Sequence, residues 1–517
     1  MLTADWSLTQ ENLLNRQHEE KQMTAAIKPL TGAALSEAIW NSLHWKNIEA
    51  EVRRLQIRIA KAIRDGRHGK VKALQWLLTH SFSAKLLAVK RVVQNKGGKT
   101  PGIDKIIWRT PHQKLQAAQS LKRKGYQTLP LRRIYIPKKD GRQRPLSIPA
   151  MKCRAMQALY LLALEPIAEC CADKNSYGFR PKRSAADATE MCFLALAKKG
   201  SSQWIFEADI KSCFDKISHE WLRNNIPMDK EILNKWLAAG YIEDGIFHLT
   251  QEGAPQGGIA SPTLLNLTLC GLEDAVICAT SKRKDKVHLS IYADDFIITG
   301  SSKEVLEQKV QPVVESFLRE RGLELSKEKT KVTHIDDGFD FLGVNMRKYN
   351  GKFIRKPSKK SIKTFLANIR EVIKSNPTAK TENLIHLLNP KVRGWTNYFR
   401  NVCAKKTFQY VDYCIFKSVW QWIHRRHPRK GSLWCKRQYF RRRGLRNWTF
   451  CTKTSKGNSP TTYAELFRAS SVSIERHVKI RAEATPFDLR FKEYFELRKR
   501  HQRNSHARSE VEIANLF

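Results

Sequence analysis

Ile291-Tyr292-Ala293-Asp294-Asp295-Phe296-Ile297-Ile298 sets two adjacent carboxylates inside an apolar, strand-like run. Neighbouring charges in such surroundings are costly unless something positive joins them, and a metal ion is the natural compensation. Alone, an Asp-Asp pair between two strands reads as a solvated hairpin tip. A second stretch reverses that reading, because Ile205-Phe206-Glu207-Ala208-Asp209-Ile210 also drives an acid out of an apolar strand. Three carboxylates on neighbouring strands form a set that holds two Mg²⁺ ions about 3.5–4 Å apart, an arrangement that activates a hydroxyl nucleophile and steadies a leaving pyrophosphate.

Working outward, residues 203–300 run strand, helix (Ser218–Asn225), helix (Lys230–Ala239), Gly-rich turn (Gly253–Gly258), helix (Pro262–Ala275), strand, turn, strand. That order fits an α+β fold in which an antiparallel sheet is backed by helices. Upstream, Leu131–Pro149 reads as a β-hairpin turning at Asp140-Gly141, followed by a Leu/Ala-rich helix to about Cys171; Asn95–Asp104 reads as a structured loop. Nearer the start, Ile48, Val52, Leu55 and Ile59, then Val71, Leu74, Leu77 and Leu78, recur at helical spacing around Asp65-Gly66-Arg67, predicting a helical hairpin after a polar arm. Beyond Gly343 the pattern is helical again, with Ile362, Phe365, Leu366, Ile369, Val372 and Ile373 on one stripe.

Composition bounds the partners. The 517 residues suffice for two to four packed units, and 93 Lys plus Arg against 49 Asp plus Glu leave a formal charge of +44. Such an excess calls for a polyanion. No apolar run is long enough to span a bilayer, and the first twenty residues lack the pattern of a signal or transit peptide, so a membrane partner is not expected. The charge is local as well as global. Residues 51–100 carry thirteen basic residues against two acids, 347–363 eight with none, and 420–450 ten with none, the last interleaved with seven aromatics in the manner that phosphate contact plus base stacking requires. Eleven scattered cysteines without C-x-x-C read as reduced thiols, and His424, His427 and Cys435 lack the paired-cysteine spacing of structural zinc sites.

Asp209, Gln256-Gly257-Gly258-Ile259-Ala260-Ser261-Pro262 and Tyr292-Ala293-Asp294-Asp295 together resemble the reverse transcriptases, or maturases, encoded by bacterial group II introns, over roughly residues 45–450. The resemblance implies a right-hand polymerase of fingers, palm and thumb that copies RNA into DNA, followed by a helical domain X that helps the parent intron splice. It divides the chain into a basic helical extension (1–94), fingers and palm (95–345), thumb and domain X (346–450), and a small DNA-binding region (451–517) without an HNH nuclease. It also implies that Asp209 and Asp294 are the principal ligands of two Mg²⁺ ions, with Asp295 completing the site and the Ile210 carbonyl as an extra ligand. Lys138 and Arg144, on the two arms of the hairpin, would meet the triphosphate. Phe214 would exclude a 2′ hydroxyl, and Gln256 would approach the templating pair. Asn175–Ser184 (NSYGFRPKRS) matches a fingers motif lying against the template, Gly338–Gly343 (GFDFLG) the primer-grip turn, and Leu388–Phe399 (LNPKVRGWTNYF) the core of domain X. Ser147 departs from the family's usual glycine in Arg-Pro-Leu-Gly-Ile-Pro. The implied partners are group II intron RNA, an RNA template, a DNA primer, dNTPs and target DNA, in a bacterial cytoplasm and at the nucleoid when bound to DNA. Two other readings share these motifs: a non-enzymatic splicing cofactor, and a reverse transcriptase recruited to host defence.

Overall fold

The computed structural model describes residues 33–137, 141, 143–254, 257–444, 446–454 and 462–500. Lys138, Gln256 and most of the polar arm at the start lie outside the described residues.

The expected helical hairpin is present as Trp45–Arg64 and His68–His80, and Phe82–Gln94 adds a third helix. Their apolar stripes (Val52, Leu55, Ile59; Val71, Leu74, Leu78; Val89, Val92) pack on the long helix Met151–Cys171, which is buried along most of its length. The loop after Gln94 is held by Arg154, whose guanidinium donates to the Gly97, Thr100 and Pro149 carbonyls at 2.8, 2.5 and 2.8 Å.

The fingers hairpin pairs β1 (Leu131–Pro137) with β2 (Gln143–Ile148). Helix Ala185–Leu196 leads into β3 (Trp204–Asp209), the first palm strand. Next comes a short hairpin not anticipated from the sequence, β4 (Tyr241–Glu243) and β5 (Ile246–His248), turning on Asp244-Gly245 with φ of +48° and +85°. Its β4 lies parallel to β1, so it extends the fingers sheet. The single helix expected over 262–275 is two, Ser261–Thr268 and Leu272–Cys278. They break at Gly271, where φ is +90° and the Asp173 carboxylate accepts the Gly271 and Glu273 amides at 2.7 and 3.0 Å.

β6 (His288–Tyr292), β7 (Asp295–Gly300) and β8 (Lys331–His334) complete the palm in the antiparallel order β6-β7-β3-β8. Side chains of a strand alternate between faces, and here the two faces serve different cores. Phe206, Ala208, Phe296 and Ile298 join the core shared with the N-terminal helices, whereas Ile205 and Ile297 join a second core built with the thumb. A second sheet, β9 (Phe339–Phe341), β10 (Val344–Tyr349) and β11 (Lys352–Pro357), bridges to the helices Lys359–Lys374, Thr381–Phe399 and Lys405–Arg426, which occupy the stretch expected to form thumb and domain X. Phe339 and Phe341 do share one buried face, with Asp340 exposed between them.

The aromatics of 420–450 mostly turn inward, which departs from the stacking surface expected of them. Trp422, Tyr439, Phe440 and Phe450 are buried against one another, and only Trp434 and Trp448 stay exposed. His427 meets the Tyr439 hydroxyl at 2.7 Å. All eleven cysteines are unpaired. After β12 (Phe440–Arg443), β13 (Arg446–Thr454) and β14 (Thr462–Glu465), the chain runs back across the molecule as a strap. Asp412 of the thumb caps the Ala469 and Ser470 amides at 2.7 and 2.9 Å, Asp187 of the palm side receives His477, Ile480 and Arg498, and Arg53 and Arg64 of the first long helix bond Pro486 and Asp488.

Candidate active site

Tyr292 pairs with Asp295, leaving Ala293 and Asp294 as a two-residue hairpin turn. Ala293 sits at φ +59°, a conformation that costs a residue with a side chain about 1–3 kcal/mol and persists only where its surroundings impose it. The surroundings here are Asn175–Gly178. The Tyr177 amide donates to the Ile291 carbonyl at 2.9 Å, and the Ile291 amide donates to Asn175 at 2.9 Å, so this segment lies beside β6 as a short parallel bridge. Gly178 abuts the turn so closely that a Cβ there would lie 2.3 Å from the Ala293 nitrogen. The segment is itself anchored. Glu273 takes the Asn175 side chain at 2.6 Å, Asn266 donates to the Gly178 carbonyl at 3.0 Å, and Arg180 is buried against Glu169 at 2.7 Å.

On the neighbouring strand Asp209 stands opposite Asp295, and the Ile210 amide points at the Asp294 carbonyl at 3.4 Å. The three acids and Ile210 therefore meet at one end of the palm sheet. The Lys329 ammonium reaches Asp209 at 2.6 Å. Burial and the Asp209 charge push the Asp294 carboxyl up, against the pull of Arg144 and Lys329. Asp295 goes further, to about 7, through burial, the Asp294 charge and the Asp209 carboxyl beside it. Clustered hard oxygens that resist ionising together are a donor set suited to divalent cations. Among the described residues no three His, Cys, Asp or Glu side chains are gathered tightly enough to hold an ion as they stand; the charge that answers Asp209 here is Lys329.

Arg144 lies on β2 opposite Ile136, and its charge is felt at Asp294. Phe214 is half-buried on the short helix Cys213–Lys216, which begins after Ser212 at φ +46°. The Gly-rich loop is tied to that helix, with the Ala254 amide donating to Phe214 at 2.6 Å and the Gly253 amide to Ile217 at 2.7 Å. Its Gly257, at φ +110°, abuts the Ser147 carbonyl, where a Cβ would lie at 2.8 Å. The position that departs from the family pattern is thus buried, with its backbone toward this loop. At the β9–β10 turn, Leu342 (φ +50°) offers its carbonyl to the Tyr398 hydroxyl of the second thumb helix at 2.8 Å.

Three family descriptions match along the chain: "N-terminal domain of reverse transcriptase" over residues 40–121, "Reverse transcriptase (RNA-dependent DNA polymerase)" over 136–346, and "Group II intron, maturase-specific domain" over 362–440. Protein YkfC of Escherichia coli K12 is 32% identical over 310 residues, covering 52% of this chain and 81% of that protein. The chain belongs to the group II intron reverse transcriptase and maturase family. The group II intron-encoded protein LtrA of Lactococcus lactis is 28% identical over 445 residues, 67% of this chain and 73% of that one. An uncharacterized 91 kDa protein in a cob intron of Schizosaccharomyces pombe is 26% identical over 487 residues, covering 78% and 57%. A solved telomerase from Candida albicans aligns over 59% of this chain and 63% of that chain at 13% identity, with a TM-score of 0.35. Family membership makes the fold a right-hand α+β polymerase, assigns RNA-directed DNA polymerase activity to its reverse transcriptase domain, and brings the family's general use of divalent metal ions.

Sequence reasoning passed over three features of this family member's site. Lys329 stands in the Leu325-Ser326-Lys329-Thr330 stretch ahead of the primer-grip motif, but nothing local ties it to Asp209, 120 positions earlier. Gly178 carried a signal, a glycine before a bulky residue, but its neighbour is distant in the chain. Tyr398 lay within the domain X motif without any hint that it reaches Leu342.

Proposed function

We propose that the protein is the reverse transcriptase and maturase of a group II intron, copying RNA into DNA at Asp209, Asp294 and Asp295 and holding intron RNA on its basic surfaces to assist splicing and mobility. The observation that carries this is the convergence of three acids from two paired strands at a strained, buttressed hairpin, in a chain that also matches the maturase-specific domain. Asp209 and Asp294 hold the reacting centre, Asp295 shares their charge, and Lys329 balances it in the resting site. Two Mg²⁺ ions, when bound, supply the Lewis acidity that activates the primer hydroxyl and neutralises the pyrophosphate. Arg144 turns its charge toward the same centre and would steady the triphosphate with Lys138. Phe214 limits room at the sugar, and Gln256 would approach the templating pair. The working partners are intron RNA, RNA template, DNA primer, dNTPs and target DNA in the bacterial cytoplasm, with residues 451–517 contributing to DNA contact.

Primer extension on RNA and DNA templates, wild type beside Asp294→Ala, tests the reading. Mg²⁺-dependent cDNA synthesis lost in the variant is expected. A folded wild type that extends neither template would overturn it. Intron-RNA affinity should survive the same substitution and fall steeply with salt, since many phosphates are neutralised.

A further inference from the structure

Phe179 has no place in either hydrophobic core, and its ring is 51% exposed. It also adopts φ +58°, which a bulky aromatic rarely tolerates. Both neighbours hold it there: Gly178 is pressed against the catalytic turn and bonded by Asn266, and Arg180 is locked in a buried ion pair with Glu169 while donating to the Asp173 and Ser176 carbonyls at 2.7 and 2.9 Å. The backbone is thus fixed in a strained state that holds an exposed ring beside Phe214. What the ring meets is Phe214, edge on, with centroids 6.4 Å apart and planes at 67°.

We infer that Phe179 is a positioning residue for sugar selection: its ring backs Phe214 and sets how far that ring intrudes on the 2′ side of the incoming nucleotide. The inference rests on Phe214 being the sugar gate. Strain at an exposed side chain that joins neither core marks a functional constraint, because a single ring contact returns less than the backbone strain costs. Phe214 is only half-buried, and Phe179 is the ring that meets its edge.

An edge-to-face ring contact is worth about 0.5–1.5 kcal/mol, which converts to a roughly 2- to 12-fold change in preference. The experiment is single-nucleotide primer extension by the full chain with dATP and with ATP, comparing wild type with Phe179→Ala, Phe179→Gly, Phe179→Tyr and Phe214→Ala, together with thermal unfolding. Phe179→Ala and Phe179→Gly are expected to lower the dATP-over-ATP ratio of kcat/KM by about that factor, mainly by raising ATP use. Phe179→Tyr should restore the ratio, and the unfolding midpoint of Phe179→Gly should equal or exceed wild type because the strain is relieved. Unchanged discrimination in Phe179→Ala and Phe179→Gly beside a marked loss in Phe214→Ala overturns the role of Phe179 and leaves the gate standing. Unchanged discrimination in Phe214→Ala overturns the gate, and the inference with it. A lowered midpoint in Phe179→Gly with an unaltered ratio would make Phe179 a structural residue and refute the proposal.

Discussion

Gly178→Ala tests whether the Ala293-Asp294 turn, proposed as the catalytic turn, is held from behind. The added methyl would stand 2.3 Å from the Ala293 nitrogen, 2.9 Å from the Tyr292 carbonyl carbon and 3.1 Å from the Ala293 Cα. Ordinary contact begins near 3.4 Å, so one partner must move by about 1 Å. Every atom it meets is backbone, which leaves no side chain to rotate away. Gly178 is itself tied down by Asn266 on one side and the Tyr177–Ile291 bond on the other, so the displacement falls on Ala293-Asp294. Overpacking of this kind costs about 1–3 kcal/mol of stability. Its effect on chemistry should be larger in proportion, since a shift of about 1 Å in a positioned catalytic group lowers rate on the order of 100-fold. Single-turnover nucleotide addition should therefore drop by roughly that factor, with little change in primer-template affinity and a modest fall in unfolding midpoint. A folded variant within threefold of wild-type rate would show that the turn does not depend on this buttress.

Three further outcomes follow from the geometry. The fold favours the protonated form of Asp295, whose pKa is raised to about 7, so this group's contribution to stability without metal declines as pH rises from the ordinary carboxylate range through 7; cation binding needs the ionised form, so Mg²⁺ affinity should climb between pH 6 and 8, and a calorimetric titration with equal affinity at both would contradict the assignment. Tyr398→Phe removes one hydroxyl-to-carbonyl bond to Leu342, about 0.5–1.5 kcal/mol, and should weaken primer-template binding about 2- to 12-fold while single-nucleotide kcat holds; a change confined to kcat would place the residue elsewhere in the cycle. Asp187 is fully buried, yet His477 and the Ile480 amide overcome that burial and hold its pKa down to about 2, so its stabilisation is present above the ordinary carboxylate pKa and is lost as pH falls toward 2. Asp187→Ala leaves His477 and Arg498 without their shared partner and should cost about 3–5 kcal/mol, read as a lower denaturation midpoint and faster proteolysis of the strap; an unchanged midpoint would deny the strap a structural role.

The local part of the candidate site was open to reading from residue order. Asp209, Asp294 and Asp295 stood out because acids in apolar strands conflict with burial, and that conflict is written in a few consecutive letters. The same holds for the fingers hairpin and the first helices, whose periodicity is short-range. The break at Gly271 escaped notice because it depends on the Asp173 carboxylate, about a hundred positions away, accepting the amides that the interrupted helix leaves open. The inward turn of the aromatics near 420–450 was hidden for a related reason, since cations and rings interleave alike on a stacking surface and on a helix whose other face is core.

What the sequence by itself determined is therefore the proposed donor set: which acids, on which strands, in a chain basic enough to hold nucleic acid. Only the tertiary structure decided how that set is held. Gly178 against Ala293, Lys329 on Asp209, Tyr398 on Leu342 and the strap on Asp187 are contacts between residues between about 50 and 300 positions apart. Periodicity and local propensity report only on neighbours along the chain, while the strain at Ala293 and the raised pKa of Asp295 arise where segments distant in sequence are packed together.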